Sequence, residues 1–97
     1  MRVRFRPRAV RDLFGIAEYL VQESVDGAVA VESAIRSTIR FLADFPEIGR
    51  PLTARPDVRV IPVRRYPYLI FYEVSEDALF ILHIRHGARE PLDPHTI

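Results

Sequence analysis

Ninety-seven residues leave room for one domain with one core. A formal charge of +1, from 14 Lys+Arg against 13 Asp+Glu, excludes a protein whose main work is to coat nucleic acid, which needs a large basic excess. The absence of cysteine excludes disulfides and thiolate metal ligands and fits a reducing compartment.

In chain order, Val3 and Phe5 alternate with Arg2, Arg4 and Arg6, the period of a short strand. No apolar run follows that could serve as a signal-peptide core or a membrane span, so the chain is expected to be cytoplasmic with no membrane partner. Pro7 suits the first turn of a helix. Val10, Leu13, Phe14, Ala17, Leu20 and Val21 then form one apolar helical stripe, widened by Ile16. Ser24 to Gly27 breaks the pattern, and Asp26 is the expected cap of a second helix striped by Ala28, Val31, Ile35, Thr38, Ile39 and Leu42. Two amphipathic helices joined by about four residues make an antiparallel hairpin. FPEIGRP, Phe45 to Pro51, ends the second helix. Three strands are predicted after it, over 58–65, 68–74 and 78–86, with Pro62 marking the first as an edge strand or one bulged at that residue. The whole reads β-α-α-β-β-β, an α+β single domain over 1–97 in which the helix hairpin packs on an antiparallel sheet.

Strict alternation puts Tyr68, Ile70 and Tyr72 on one face of the middle strand and Leu69 and Phe71 on the other. In the last strand it opposes Phe80, Leu82 and Ile84 to Leu79 and Ile81. Both sheet faces are therefore apolar, and one hairpin covers only one of them. A protein partner is expected on an uncovered surface carrying Leu69, Phe71, Leu79 and Ile81.

The meander also gathers Arg64, Arg65, Tyr66, Tyr68, Arg85, His86 and Arg89 at one end of the sheet. Such a basic, aromatic-bearing patch can hold phosphate, dock an acidic partner or stand as a solvated strand end. His83 and His86 are three apart and fall on opposite faces of a strand, which predicts no metal site and no other cofactor. His83, beside Leu79 and Ile81, reads as a satisfied, half-buried histidine. No serine has nucleophile context. Metal-free RNA cleavage needs a base, an acid and cations. Arg65, Arg85 and Arg89 with His86 or His95 are the candidates for it.

FPEIGRP, VRVIPVRRYPYLIFYEV and LHIRHGARE, with PRAVRDLFGIAEYL before them, resemble in content and order the ParE branch of the RelE/ParE superfamily of bacterial toxins. The resemblance implies a toxin of a type II toxin–antitoxin system, of the kind tied to plasmid stabilization. Its cognate antitoxin would wrap the helix hairpin and sheet, and it would reach operator DNA only through that antitoxin. The ParE branch implies inhibition of DNA gyrase by binding. The RelE branch implies ribosome-dependent cleavage of messenger RNA. Leu69 stands where that branch places a central-strand arginine, its lysines are absent, and His95 stands near its tail tyrosine, so gyrase is the expected target. A non-toxic co-repressor module that only binds the antitoxin is a third reading.

Overall fold

In a computed structural model, which describes residues 1–87, two helices pack on one face of a five-stranded sheet. Strand β1 (Arg2–Phe5) leads to α1 (Pro7–Glu23), α2 (Val25–Asp44), β2 (Arg50–Pro51), β3 (Arg59–Pro62), β4 (Tyr68–Ser75) and β5 (Ala78–His86). The strand order is β1-β5-β4-β3-β2. The antiparallel meander is that expected from the sequence. β1 adds to it in parallel, with Val3 opposite Leu79 and Phe5 opposite Ile81, and makes the sheet mixed.

Pro7 opens α1 at a position whose N–H has no helical partner. A single residue, Ser24, separates the helices, fewer than the four expected, and it ends α1 and begins α2. Its Oγ accepts from the Gly27 N–H at 3.0 Å, so the cap is Ser24 and not Asp26. Asp26 lies in the first turn, where its charge favours the helix dipole. β2 pairs with β3 at Arg59 and Val60, so β3 is an inner strand and not the expected edge, and Pro62 lies beyond that pairing. The neighbouring Val63 N–H points to the Tyr68 carbonyl at 2.8 Å, so the missing donor of Pro62 faces away from β4.

The core has two parts. On the helix side, Tyr68, Ile70, Tyr72, Leu79, Ile81 and Ile84 meet Ala9, Val31, Ile35, Ile39 and Leu42. On the other side, Phe71 and Leu82 pack with Val58 and Val60, edged by Leu52, Leu69 and Phe80. A bulge corrects the simple alternation of β5. Phe71 pairs with His83 and Tyr72 with Ile81, so Leu82 is an extra residue and the faces invert there. Ile84 consequently joins Leu79 and Ile81 under the helices, and His83 stacks on Phe71 at 5.6 Å.

The Phe45–Arg50 connection is tied down by one phenol. Tyr72 Oη accepts from the Gly49 N–H and donates to the Pro46 carbonyl, both at 2.8 Å. Arg59 adds donations to the carbonyls of Glu47 and Gly49 at 2.9 and 2.7 Å. Burial pushes the Tyr72 pKa up, against the opposing pull of the Gly49 N–H and the Arg59 charge.

Candidate functional site

Leu79 and Ile81 are fully buried, so the expectation that they belong to the partner-covered surface is corrected. The reason is the sheet order: β5 is a central strand, flanked by β1 and β4 and roofed by α1. Phe71 is only 1% exposed because Val58 and Leu52 fold under it, and Leu69 is half-buried beside it. The second sheet face is thus partly closed by the chain's own 52–58 segment.

The exposed apolar surface lies elsewhere. The helices α1 and α2 splay above β1 and leave an open groove of about 720 Å³. Val3 and Phe5 of β1, Leu13, Phe14 and Leu20 of α1 and Ile35 of α2 line it. Phe14 is 68% exposed, and Val10 and Phe5 also stand in water. The α1 stripe is therefore wider than the core it meets. Leu13, Ile16 and Leu20 pack inward, whereas Phe14 stays exposed among the described residues. A helical stripe of this kind has the form of a seat for another amphipathic segment.

The predicted basic patch divides between two faces. Arg64, Arg65 and Tyr66 belong to the β3–β4 turn and border a groove of about 580 Å³ against α2. Arg64 and Arg65 are exposed, and Arg65 holds a positive φ of 76°. Tyr68 is 5% exposed and belongs to the core. His86 is half-buried on the same side, edge-on to the Tyr68 ring at 5.5 Å. Arg85 lies on the opposite face beside its pairing partner Leu69, where it and Arg50 flank a third groove of about 570 Å³. Its Nε donates to the His86 carbonyl at 3.3 Å. Arg89 and His95 lie outside the described residues. Arg50 had no marker in the sequence beyond its place in FPEIGRP.

Asp12 is a further residue that sequence reasoning missed. β1 runs out opposite Ile81, and the Arg6 N–H makes the last backbone bond to the Ile81 carbonyl at 3.0 Å. One carboxylate oxygen of Asp12, on α1, then accepts from the Ile84 N–H at 3.0 Å and from His83 Nδ1 at 2.7 Å. Arg8 Nη2 approaches His83 Nε2 at 3.4 Å, so the tautomer that satisfies both contacts carries its proton on Nδ1. Burial raises the Asp12 pKa, but the hydrogen bonds from His83 and Ile84 and the nearby Arg8 guanidinium outweigh it and hold the carboxyl below its usual value. His83 is buried and satisfied, and it serves the fold. Among the described residues no three His, Cys, Asp or Glu side chains gather as a metal site, and no helix is long and apolar enough to cross a membrane.

Residues 3–91 match the sequence profile of a family described as the ParE toxin of type II toxin–antitoxin systems, parDE. The chain is 36% identical over 83 residues to Toxin RelE2 of Caulobacter vibrioides, covering 84% of this chain and 90% of that protein. It is 32% identical over 89 residues to the putative toxin Y4kP of Sinorhizobium fredii, covering 92% and 91%. The fold resembles the chromosomal ParDE toxin–antitoxin system of P. aeruginosa, with a TM-score of 0.65 and 22% identity over 89% of this chain and 95% of that one. It also resembles the isolated E. coli RelE toxin, with a TM-score of 0.66 and 18% identity over 92% and 86%. The intact E. coli RelBE toxin–antitoxin complex contains a similar chain, with a TM-score of 0.65 and 19% identity over 91% and 98%.

Proposed function

The chain belongs to the ParE toxin family of type II toxin–antitoxin systems, and on that premise we propose that it poisons DNA gyrase by protein contact. One observation carries the choice over RNA cleavage. A metal-free nuclease must converge a base, an acid and cations on one phosphate. Of the candidates among the described residues, Arg65 and His86 lie on the helix side of the sheet, and Arg85 lies on the other. Loss of one transition-state stabilising group commonly costs ~100-fold or more, and a divided set loses several at once. Added to gyrase in a supercoiling assay, the purified protein is expected to stop the reaction and trap cleaved DNA. Full supercoiling with toxin well above the gyrase concentration sinks the proposal.

A second reading is supported by Arg50 and Arg85, which flank one groove on the second face. In a ribosome-dependent endoribonuclease these would meet the phosphates. Primer extension on ribosome-bound messages would then reveal cuts that vanish in Arg85→Ala.

The cognate antitoxin is the partner for the groove between α1 and α2. The groove is nearly all apolar, it is rimmed by Arg40 and by the Glu32–Arg36 ion pair, and β1 offers its outer edge beside it. An amphipathic antitoxin helix with carboxylates on its flanks fits that chemistry, and operator DNA would be reached only through that antitoxin. Phe14→Ala is expected to weaken antitoxin binding at least ~30-fold, the loss typical of an interface hot spot. The urea midpoint should stay within ~0.5 kcal/mol of the parent, since Phe14 supports no core contact. Titration of the variant with the co-encoded antitoxin checks both numbers. Undiminished affinity moves the antitoxin to another surface.

A further inference from the structure

We propose that the groove between α2 and the β3–β4 turn seats an acidic helical segment of the toxin's target protein. This rests on the reading of the chain as a toxin with a protein target, and it names the surface and the chemistry that reading leaves open.

Arg64 and Arg65 are the charged residues bordering this groove, and no carboxylate borders it. Neither arginine makes a hydrogen bond or ion pair with any described residue. Arg65 also holds φ at 76°, a conformation that glycine or asparagine adopts at far lower cost. Glycine or asparagine is the ordinary choice for such a turn position, and a long cationic side chain stands here instead. Arg65 is aimed beside Arg64, at the mouth of the groove.

The shape selects a helix. Ala30, Ser33, Ala34 and Ser37 lie three and four apart and share one face of α2, with Phe41 one turn further. From Ala30 to Phe41 the wall runs for about 16 Å, three turns of helix. Side chains this short let a second helix approach closely, and Ile61 and Phe41 give its apolar residues a contact. Two unpaired guanidinium groups at one end call for carboxylates, which they bind in a fork.

RNA fits the groove less well. Single-stranded RNA is held by stacking on exposed aromatic faces. Phe41 already packs on Phe45 at 5.0 Å, and Tyr66 is half-buried against the core. Two cations alone are a weak hold on a phosphate backbone.

The test uses the full chain, three variants and two readouts. Arg64→Glu/Arg65→Glu reverses the charge, Ser37→Arg blocks the wall, and Arg65→Gly removes the side chain while relieving the backbone. Arg65→Gly keeps the inference testable should the others fold poorly, because its thermal midpoint is expected to equal or exceed the parent's. Each variant is expected to lose growth arrest on induction, to bind gyrase holoenzyme at least ~30-fold more weakly if gyrase is the target, and to keep antitoxin affinity. Growth arrest undiminished in Arg65→Gly and in the charge reversal overturns the inference, whatever the target. If the parent leaves gyrase untouched but arrests growth, and the variants do not, the gyrase reading fails and the groove stands. If the parent inhibits gyrase and the variants do so equally, the groove fails and gyrase stands. A parent that cuts ribosome-bound message, with cutting lost in the variants, makes the occupant RNA and overturns the inference.

Discussion

Gly49→Ala is expected to cost the fold about 3 kcal/mol. A Cβ at this position would overlap the Tyr72 hydroxyl oxygen and stand 2.7 and 2.9 Å from two atoms of its ring. Tyr72 cannot retreat, because it is fully buried among the helix-side residues. Overpacking of this kind costs about 1–3 kcal/mol. A displaced phenol also weakens two hydrogen bonds, from Gly49 and to Pro46, each worth about 1 kcal/mol net. Against a domain stability of about 5–15 kcal/mol the loss is large, and a chain of this length should melt roughly 12–24 °C lower. Tyr72→Phe removes the hydroxyl alone and leaves the Gly49 N–H and the Pro46 carbonyl without their partner, at about 1–3 kcal/mol. The double variant should lose less than the sum, since the closest clash is with the atom that Tyr72→Phe deletes. Urea unfolding of the three proteins measures this, and an unchanged midpoint for Gly49→Ala sinks the account. The raised Tyr72 pKa adds a pH signature. The folded state holds the phenolic proton more tightly than the unfolded one, so this contribution is complete below about pH 10 and fades as pH rises through the folded value.

The loop held by Tyr72 leads directly to the groove that Arg50 and Arg85 flank. Arg50 follows Gly49 and pairs with β3 opposite Val60. The Arg59 guanidinium on the carbonyls of Glu47 and Gly49 fixes the same connection from the sheet. Stability and surface placement therefore share one set of contacts.

What the sequence made legible follows from periodicity. The element order and the helix-facing set Tyr68, Ile70 and Tyr72 are local consequences of pattern, whereas the two-residue strand β2, too short to show a period, makes β3 an inner strand and not the edge that Pro62 suggests. The α1 stripe was visible too, but not its fate. Leu13 and Phe14 look alike in a pattern, and only tertiary geometry decides that one is packed and the other left in water. The bulge at Leu82 breaks the alternation, because one extra residue inverts every side chain beyond it: Ile84 comes under the helices, and His83 stacks on Phe71 while its ring still reaches Arg8 and Asp12 of α1. The basic patch was read as one cluster because both strand ends lie at the same end of the sheet. Pairing of Leu69 with Arg85, and of Tyr68 with His86, sends the two residues to opposite faces. Asp12 was illegible for a different reason: its partners are 71 and 72 residues away, and nothing in its own helix marks it.

Asp12→Ala is the second large effect, expected at about 3 kcal/mol. The carboxylate does the work of a missing strand. Past Phe5 the edge of β5 is open, and without Asp12 the Ile84 N–H loses its acceptor at a site where Ile84 itself is buried. Two donors, the Ile84 N–H and the His83 ring N–H, lose their acceptor, at about 1–3 kcal/mol each. The lower end applies here, because the Asp12 side chain remains 21% exposed. Asp12→Asn separates the charge from the hydrogen bonds. The amide oxygen still accepts from Ile84 but offers no charge to His83 or Arg8, so this variant should lose about half as much. The two differ from the parent in pH dependence as well. Because the folded state lowers the Asp12 pKa, it binds the proton less tightly than the unfolded chain, and the stabilisation is present above the unfolded value near 3.9. It is lost as pH falls through the folded value. Parent stability should therefore drop more steeply below about pH 4 than that of Asp12→Asn, and the two curves should approach one another in acid. Parallel curves from pH 7 down to pH 2 would mean that Asp12 acts through shape alone. His83→Phe supplies the complementary test: it keeps the stack on Phe71 but deletes the Asp12 contact, and in a double-mutant cycle with Asp12→Ala the two losses should fall well short of adding.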